Sequence, residues 1–152
     1  MAFDATASLK QIMGHMQESG FYSQVDLGEP MEAPTGDRMH GAVYMQRSAV
    51  PVVTLGGETV EIYVAIARSY RNALRVPQSD SEVELIQADA QVRERLMEDF
   101  TLNASIRNID IAGEYGEAMR SEWGRVDIGS TIFRAVDIVV PMVVDASATA
   151  AP

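Results

Sequence analysis

Residues Thr59–Tyr70 read TVEIYVAIARSY, and the reading of this stretch decides the fold. Val60, Ile62, Val64 and Ile66 fall on one side of an extended chain, and Glu61, Tyr63, Ala65 and Ala67 on the other. A period of two with β-branched residues is a strand pattern. Both sides carry apolar residues, so both faces of the sheet are expected to be covered. Just upstream, Gly56-Gly57 signals a tight turn. Before it, Ala42–Val53 is β-prone but irregular, and Pro51 confines it to an edge or a bulge, because proline has no N–H for a ladder. Downstream, Thr131–Val144 (TIFRAVDIVVPMVV) is a second long strand, with Ile132, Val136, Ile138, Val140, Met142 and Val144 on one side.

Two helices fit around these strands. Leu9, Ile12, Met13 and Met16 recur at helical spacing, Asp4 or Thr6 offers an N-cap, and Gly20 ends the element. The second helix starts at Ser81, which has capping-box spacing to Glu84, and runs to about Phe100. Val83, Ile86, Ala90, Met97 and Phe100 form its expected core stripe; Glu84, Arg93, Arg95, Glu98 and Asp99 form its solvated side. Shorter strands are expected at Gln24–Leu27, Ser105–Ala112 and Ala118–Trp123, the last two separated by Gly113 and Gly116. Gly28–Gly41 and Arg71–Ser79 read as loops, broken by Pro30, Pro34 and Pro77. Long ordered loops usually carry function, so both are expected to make contacts with partners. The whole is an α+β domain over residues 1–145: one mixed, mostly antiparallel sheet flanked by two main helices. Residues 146–152 form a low-complexity Ala/Ser/Thr tail, expected to be disordered in an isolated domain.

A chain of 152 residues fits one such domain. It contains no cysteine, which excludes disulfides, thiolate metal sites and cysteine nucleophiles. No apolar run approaches 18 residues and no export signal is recognisable, so a soluble, unexported chain is expected. Acidic side chains number 22 against 12 basic ones, for a net charge of −10. That balance argues against stable duplex-DNA binding, which relies on basic residues displacing counterions. Lys10 is the only lysine. The arginine bias fits a GC-rich coding sequence, or the retention of Arg68, Arg71, Arg75 and Arg134 for forked pairing with carboxylates at interfaces.

Motifs for catalysis are absent. The sequence has no GxxxxGK[ST], no GxGxxG after a strand and no GxSxG. The glycines of Ile111–Gly116 (IAGEYG) read as turn residues. His15 and His40 would make an acid–base or metal site only if the fold joined them. Carboxylate pairs such as Glu82/Glu84 and Glu98/Asp99 read as solvated surface rather than a general acid–base dyad. Asp110 and Asp137 interrupt apolar strands, and the simplest placement puts both on a solvent face. If they point inward, Arg107 or Arg134 is the nearest partner in sequence. Trp123, the only tryptophan, reads as a core or interface anchor.

The succession of elements resembles the tail-terminator (tail-completion) proteins of long-tailed bacteriophages, especially those of actinobacteria. It runs from an amphipathic helix into FYSQVDLGEP, then through the Pro/Gly loop, TVEIYVAIARSYRNAL, SEVELIQADAQVRERLMEDF and FRAVDIVVPMVVD. The strongest local matches are an aliphatic strand ending in Arg68-x-Tyr70 and the Phe133-Arg134-Ala135-Val136 approach to the last strand; the Ala/Ser/Thr tail is a departure. The resemblance implies a structural virion protein without enzymatic activity and without cofactor. Such a protein forms a ring with itself, usually of six subunits, that ends tail-tube polymerisation. Its partners would be the tail-tube protein, the head-completion or connector protein and the end of the tape-measure protein, with DNA passing through the lumen unbound. Glu29, Arg38, Arg68, Tyr70, Arg71, Arg75 and Arg134 are the residues expected to contact partners. Other readings are a head-completion or tail-tube subunit, an acidic inhibitor of a host enzyme, or a small enzyme without a recognised motif.

Overall fold

A computed structural model describes residues 3–36, 38–74 and 77–145. The elements run α1 (Ala5–Ser19), β1 (Gln24–Leu27), β2 (His40–Val53), β3 (Thr59–Asn72), α2 (Gln78–Glu98), β4 (Asn108–Ile109), β5 (Arg120–Ile128) and β6 (Thr131–Asp145). They form the expected α+β domain, with two helices on one mixed sheet that curls into a half-barrel. The expected tail at 146–152 and Arg75 lie outside the described residues.

The two long strands read from sequence are the centre of the sheet. β3 pairs antiparallel with β2 on one side and with β6 on the other, from Val60↔Asp145 to Asn72↔Phe133. β1 is the one parallel partner, lying along the first four residues of β2. β4 and β5 share the outer side of β6, β5 against Thr131–Val139 and β4 against Met142–Val143. Pro141 falls in the gap between them. Its carbonyl accepts from Asp110 N–H on that side, so its missing N–H costs no ladder bond. Pro51 is placed as the sequence reading requires. β1 covers only His40–Val43, so Pro51 lies where β2 has a free outer edge, beyond register shifts between Met45 and Val50.

Helix α1 is capped by the Asp4 side chain, which accepts from Ala7 N–H at 3.0 Å, and ends at Gly20 in the left-handed region (φ 80°). Both helices lie on one face of the sheet. There Ile12 and Met16 meet Val92, Leu96, Ala65, Ala67, Ile138, Val140, Met142 and Val144. Gly41 leaves room for side chains where α1 approaches β2: a Cβ there would stand 2.8 Å from the Met16 Cε and 3.1 Å from the Tyr22 ring.

Among the described residues no helix covers the opposite, concave face, yet Val64, Ile66 and Val139 there are buried. The curl of the sheet and two connections cover it. Ala33 of the 28–39 loop packs on the Tyr70–Phe133–Ile128 cluster at one end. At the other end the 110–119 segment folds back towards Val52 and Ile62, with Glu117 pairing to Arg47 of β2 and to Arg120 at 2.9 Å.

Several local readings are corrected. Asp110 is not on a solvent face: it is 3% exposed, and its carboxylate accepts the N–H groups of Gly113, Glu114 and Tyr115 at 2.8–2.9 Å. Asp137 is paired on the concave face, with Arg68 rather than a sequence neighbour. The stretch 105–112 shrinks to the two residues of β4, while β5 extends past Gly124 to Ile128. Arg71 and Asn72 belong to β3 and α2 begins at Gln78, so the second loop is shorter than expected. Pro77, with no side-chain capping bond, occupies the N-cap position of α2, and Ser81 is buried inside the first turns.

The largest correction concerns the facing of α2. Leu85, Ala88, Val92 and Leu96 face the sheet. Val83 (55% exposed), Ile86, Met97 and Phe100 point outward, with Ala90 between them. Residues 83, 86, 90 and 97 follow heptad a/d spacing, interrupted by Arg93, and Phe100 lies in the turn just past the helix.

Candidate functional site

The residues expected to contact partners separate onto two faces of the sheet, because neighbouring residues of a strand point opposite ways. Arg68 and Tyr70 share the concave face. Arg68 makes a forked pair with Asp137, Nε to Oδ1 at 2.8 Å and Nη2 to Oδ2 at 3.0 Å, and lies 5.5 Å from the Tyr44 ring centre. Burial works against the Arg68 charge, but the Asp137 carboxylate outweighs it and holds the guanidinium pKa up. Burial pushes the Tyr44 phenol up to about 12, with Arg68 pulling the other way. Tyr70 is 1% exposed and packs edge-on against Phe133 at 5.3 Å. It is a core residue, so its contact role is not direct. Its phenol is also pushed up to about 12 by burial, with Asp26 adding to the effect. Glu29 is exposed in the 28–39 loop, beside a groove of about 580 Å³ that also touches Asp26, Glu32, His40 and Tyr70.

Arg71 and Arg134 share the helix face, where α2 brings two glutamates down to them. Arg71 bonds Glu84, and Arg134 bonds Glu82. Arg134 also donates to the Gly124 carbonyl at 3.0 Å and lies 5.3 Å from the Trp123 ring centre. Arg38, exposed in the long loop, lines a groove with Phe21, Arg71, Asp80 and Val83. Trp123 is 38% exposed, so it is a surface anchor for Arg134 rather than a core residue.

The fold does not join the two histidines. His15 contacts Asp99 at 2.7 Å, while His40 contacts Ser23 and lies 5.8 Å from the Tyr70 ring. Among the described residues no three His, Asp or Glu side chains converge in a way that could hold a metal ion. None of the described helices is long and apolar enough to cross a membrane. Two features escaped the sequence reading. The apolar outward stripe of α2 was legible as a stripe but not as an outward one. The Asp110 turn was visible only as glycines, since its ligands are backbone N–H groups. No protein-family model and no curated protein sequence matches the chain.

Proposed function

We propose that this chain is a structural subunit of a tailed-bacteriophage particle, a tail terminator that closes into a ring. The ring ends tail-tube polymerisation and joins the tail to the head-completion or connector protein. The order of elements carries the resemblance to that family. The observation that supports assembly is a pair of strand edges on the curled sheet that have no partner among the described residues: residues 44–53 of β2 on one side and the outer edge of β5 on the other. Two different edges on opposite sides suit head-to-tail contacts, which generate rings when the rotation closes. The exposed stripe of α2 offers a further apolar surface for a neighbour. In this reading the protein is not an enzyme, its place is the neck of the virion, and its acidic surface lets DNA pass without binding.

Electron microscopy of particles made without this protein tests the proposal. Over-long tails, or tails unjoined to heads, are the expected result; normal joined particles would refute it. Purified protein mixed with tail tubes should add one ring at a tube end. Long cylinders formed by the protein alone would instead identify a tube subunit.

A further inference from the structure

Three arginines stand side by side across three strands of the helix face. Arg71 of β3 is the cross-strand partner of Arg134 of β6, and Arg134 is the partner of Arg125 of β5. Like charges directly opposite each other on a sheet are destabilising, so such a row calls for anions. Glu84 and Glu82 of α2 answer Arg71 and Arg134. Among the described residues Arg125 has no carboxylate partner. Arg125 and Arg134 instead line a pocket of about 250 Å³ with Ala73, Gln78, Ser81 and Glu82. Ser81 is 3% exposed, and its hydroxyl has no hydrogen-bond partner. That is a donor held out of water without an acceptor. Gln78 opens α2, whose amino end has no side-chain cap, so the positive end of the helix borders the same pocket.

We propose that this pocket is an oxyanion site, taking a phosphate or carboxylate group between Arg125, Arg134, Gln78 and Ser81. Arg125 supplies the uncommitted charge and the forked donors; Ser81 and the helix end supply neutral donors. Glu82 is the internal competitor, because it already occupies part of the Arg134 guanidinium. The ligand is a free ion or the same group on a side chain of another copy, and the inference is independent of the ring proposal.

Trp123, the sole tryptophan, lies against Arg134, so its fluorescence is a local reporter. The full chain is titrated with inorganic phosphate, and separately with acetate, at constant ionic strength. A saturable change in Trp123 emission is expected with at least one ion. Arg125→Gln should weaken it by about tenfold or more, Ser81→Ala by a few-fold, and Glu82→Gln should tighten it. Sedimentation of the wild type and of Arg125→Gln, with and without phosphate, separates the sources. Association that needs Arg125 and is competed by phosphate assigns the ligand to another copy; association indifferent to both assigns it to the free ion. The proposal is overturned if neither ion gives a saturable change, or if Arg125→Gln, folded by circular dichroism, responds as the wild type does.

Discussion

Asp99 and Asp110 each do with one carboxylate what a longer segment of regular structure would otherwise do. At Asp99, one oxygen accepts from Gln11 and contacts His15 of α1, and the other accepts from Asn103 N–H. Asn103 sits in a run of three left-handed residues, Leu102, Asn103 and Ala104, a conformation costing roughly 1–2 kcal/mol per residue. Removing the carboxylate takes away one of the bonds that hold that turn, leaving among others Ala104 N–H to the Thr101 hydroxyl. Asp99→Ala should lower stability by about 2–3 kcal/mol in urea unfolding, and Asp110→Ala, which strips three N–H groups of their acceptor, by about 2–4 kcal/mol. Asp110→Asn keeps one acceptor oxygen and should cost less than the alanine change.

The same residue scale sets the response to pH. Burial raises the Asp99 carboxyl, but the bonds from Asn103, His15 and Gln11 outweigh it and the net pKa is lowered. Its stabilisation is therefore present above the ordinary value of 3.8 and is lost as pH falls through the lower folded value. Burial also lowers the His40 pKa below 6.5, against an opposing pull from Asp26. The unfolded chain then binds the proton more readily, so stability begins to fall as pH drops below about 6.5. Melting temperature measured from pH 8 to pH 5 should decline in the wild type and decline less in His40→Gln.

At the scale of elements, α2 carries two apolar stripes of unequal exposure. Truncating the inward one, as in Leu85→Ala or Leu96→Ala, should cost about 2–5 kcal/mol. Polar replacements along the outward one, such as Ile86→Gln with Met97→Gln, should change stability by no more than about 0.5 kcal/mol each. They should nevertheless weaken the proposed ring assembly on tubes, measured by microscopy. Chemical unfolding that costs as much for the outward pair as for the inward pair would contradict the assignment of faces. This helix also marks where the sequence stops being legible. Periodicity identifies the helix and its stripes, but Val83, Ile86, Met97 and Phe100 are bulkier than Leu85, Ala88, Val92 and Leu96. A reading that puts the larger residues inside therefore chooses the wrong stripe. Strands β3 and β6 are readable because their β-branched, alternating runs are long. Arg68 and Arg134 could be singled out by type, but their real partners, Asp137 and Glu82, lie 69 and 52 residues away. No local rule reaches across such separations.

At the scale of the whole molecule, net charge opposes association. Subunits of charge −10 repel one another when brought together, and physiological salt confines that repulsion to about 8 Å. Sedimentation across a salt series should show the isolated protein monomeric or weakly associated at low salt and more associated as salt rises. Rings most stable at the lowest salt would contradict this. On the concave face two pairs, Arg68–Asp137 and Arg47–Glu117, answer charge within the subunit. Replacing Asp137 by Asn leaves Arg68 half-answered and should cost about 1–2 kcal/mol, since the pair is only partly shielded from water.

Strand β6 touches three others: β3 along one side, β5 and β4 along the other. During synthesis, the chain up to residue 130 lacks every sheet pairing that β3, β4 and β5 make with β6. One edge of β3 pairs with β2 beforehand, but its other edge stays open, and the underside of α2 lacks its β6 contacts, until residues 131–145 appear. The sheet therefore closes only once β6 is in place. Until then β3 presents an open strand edge, the kind of surface through which incompletely folded chains pair with one another.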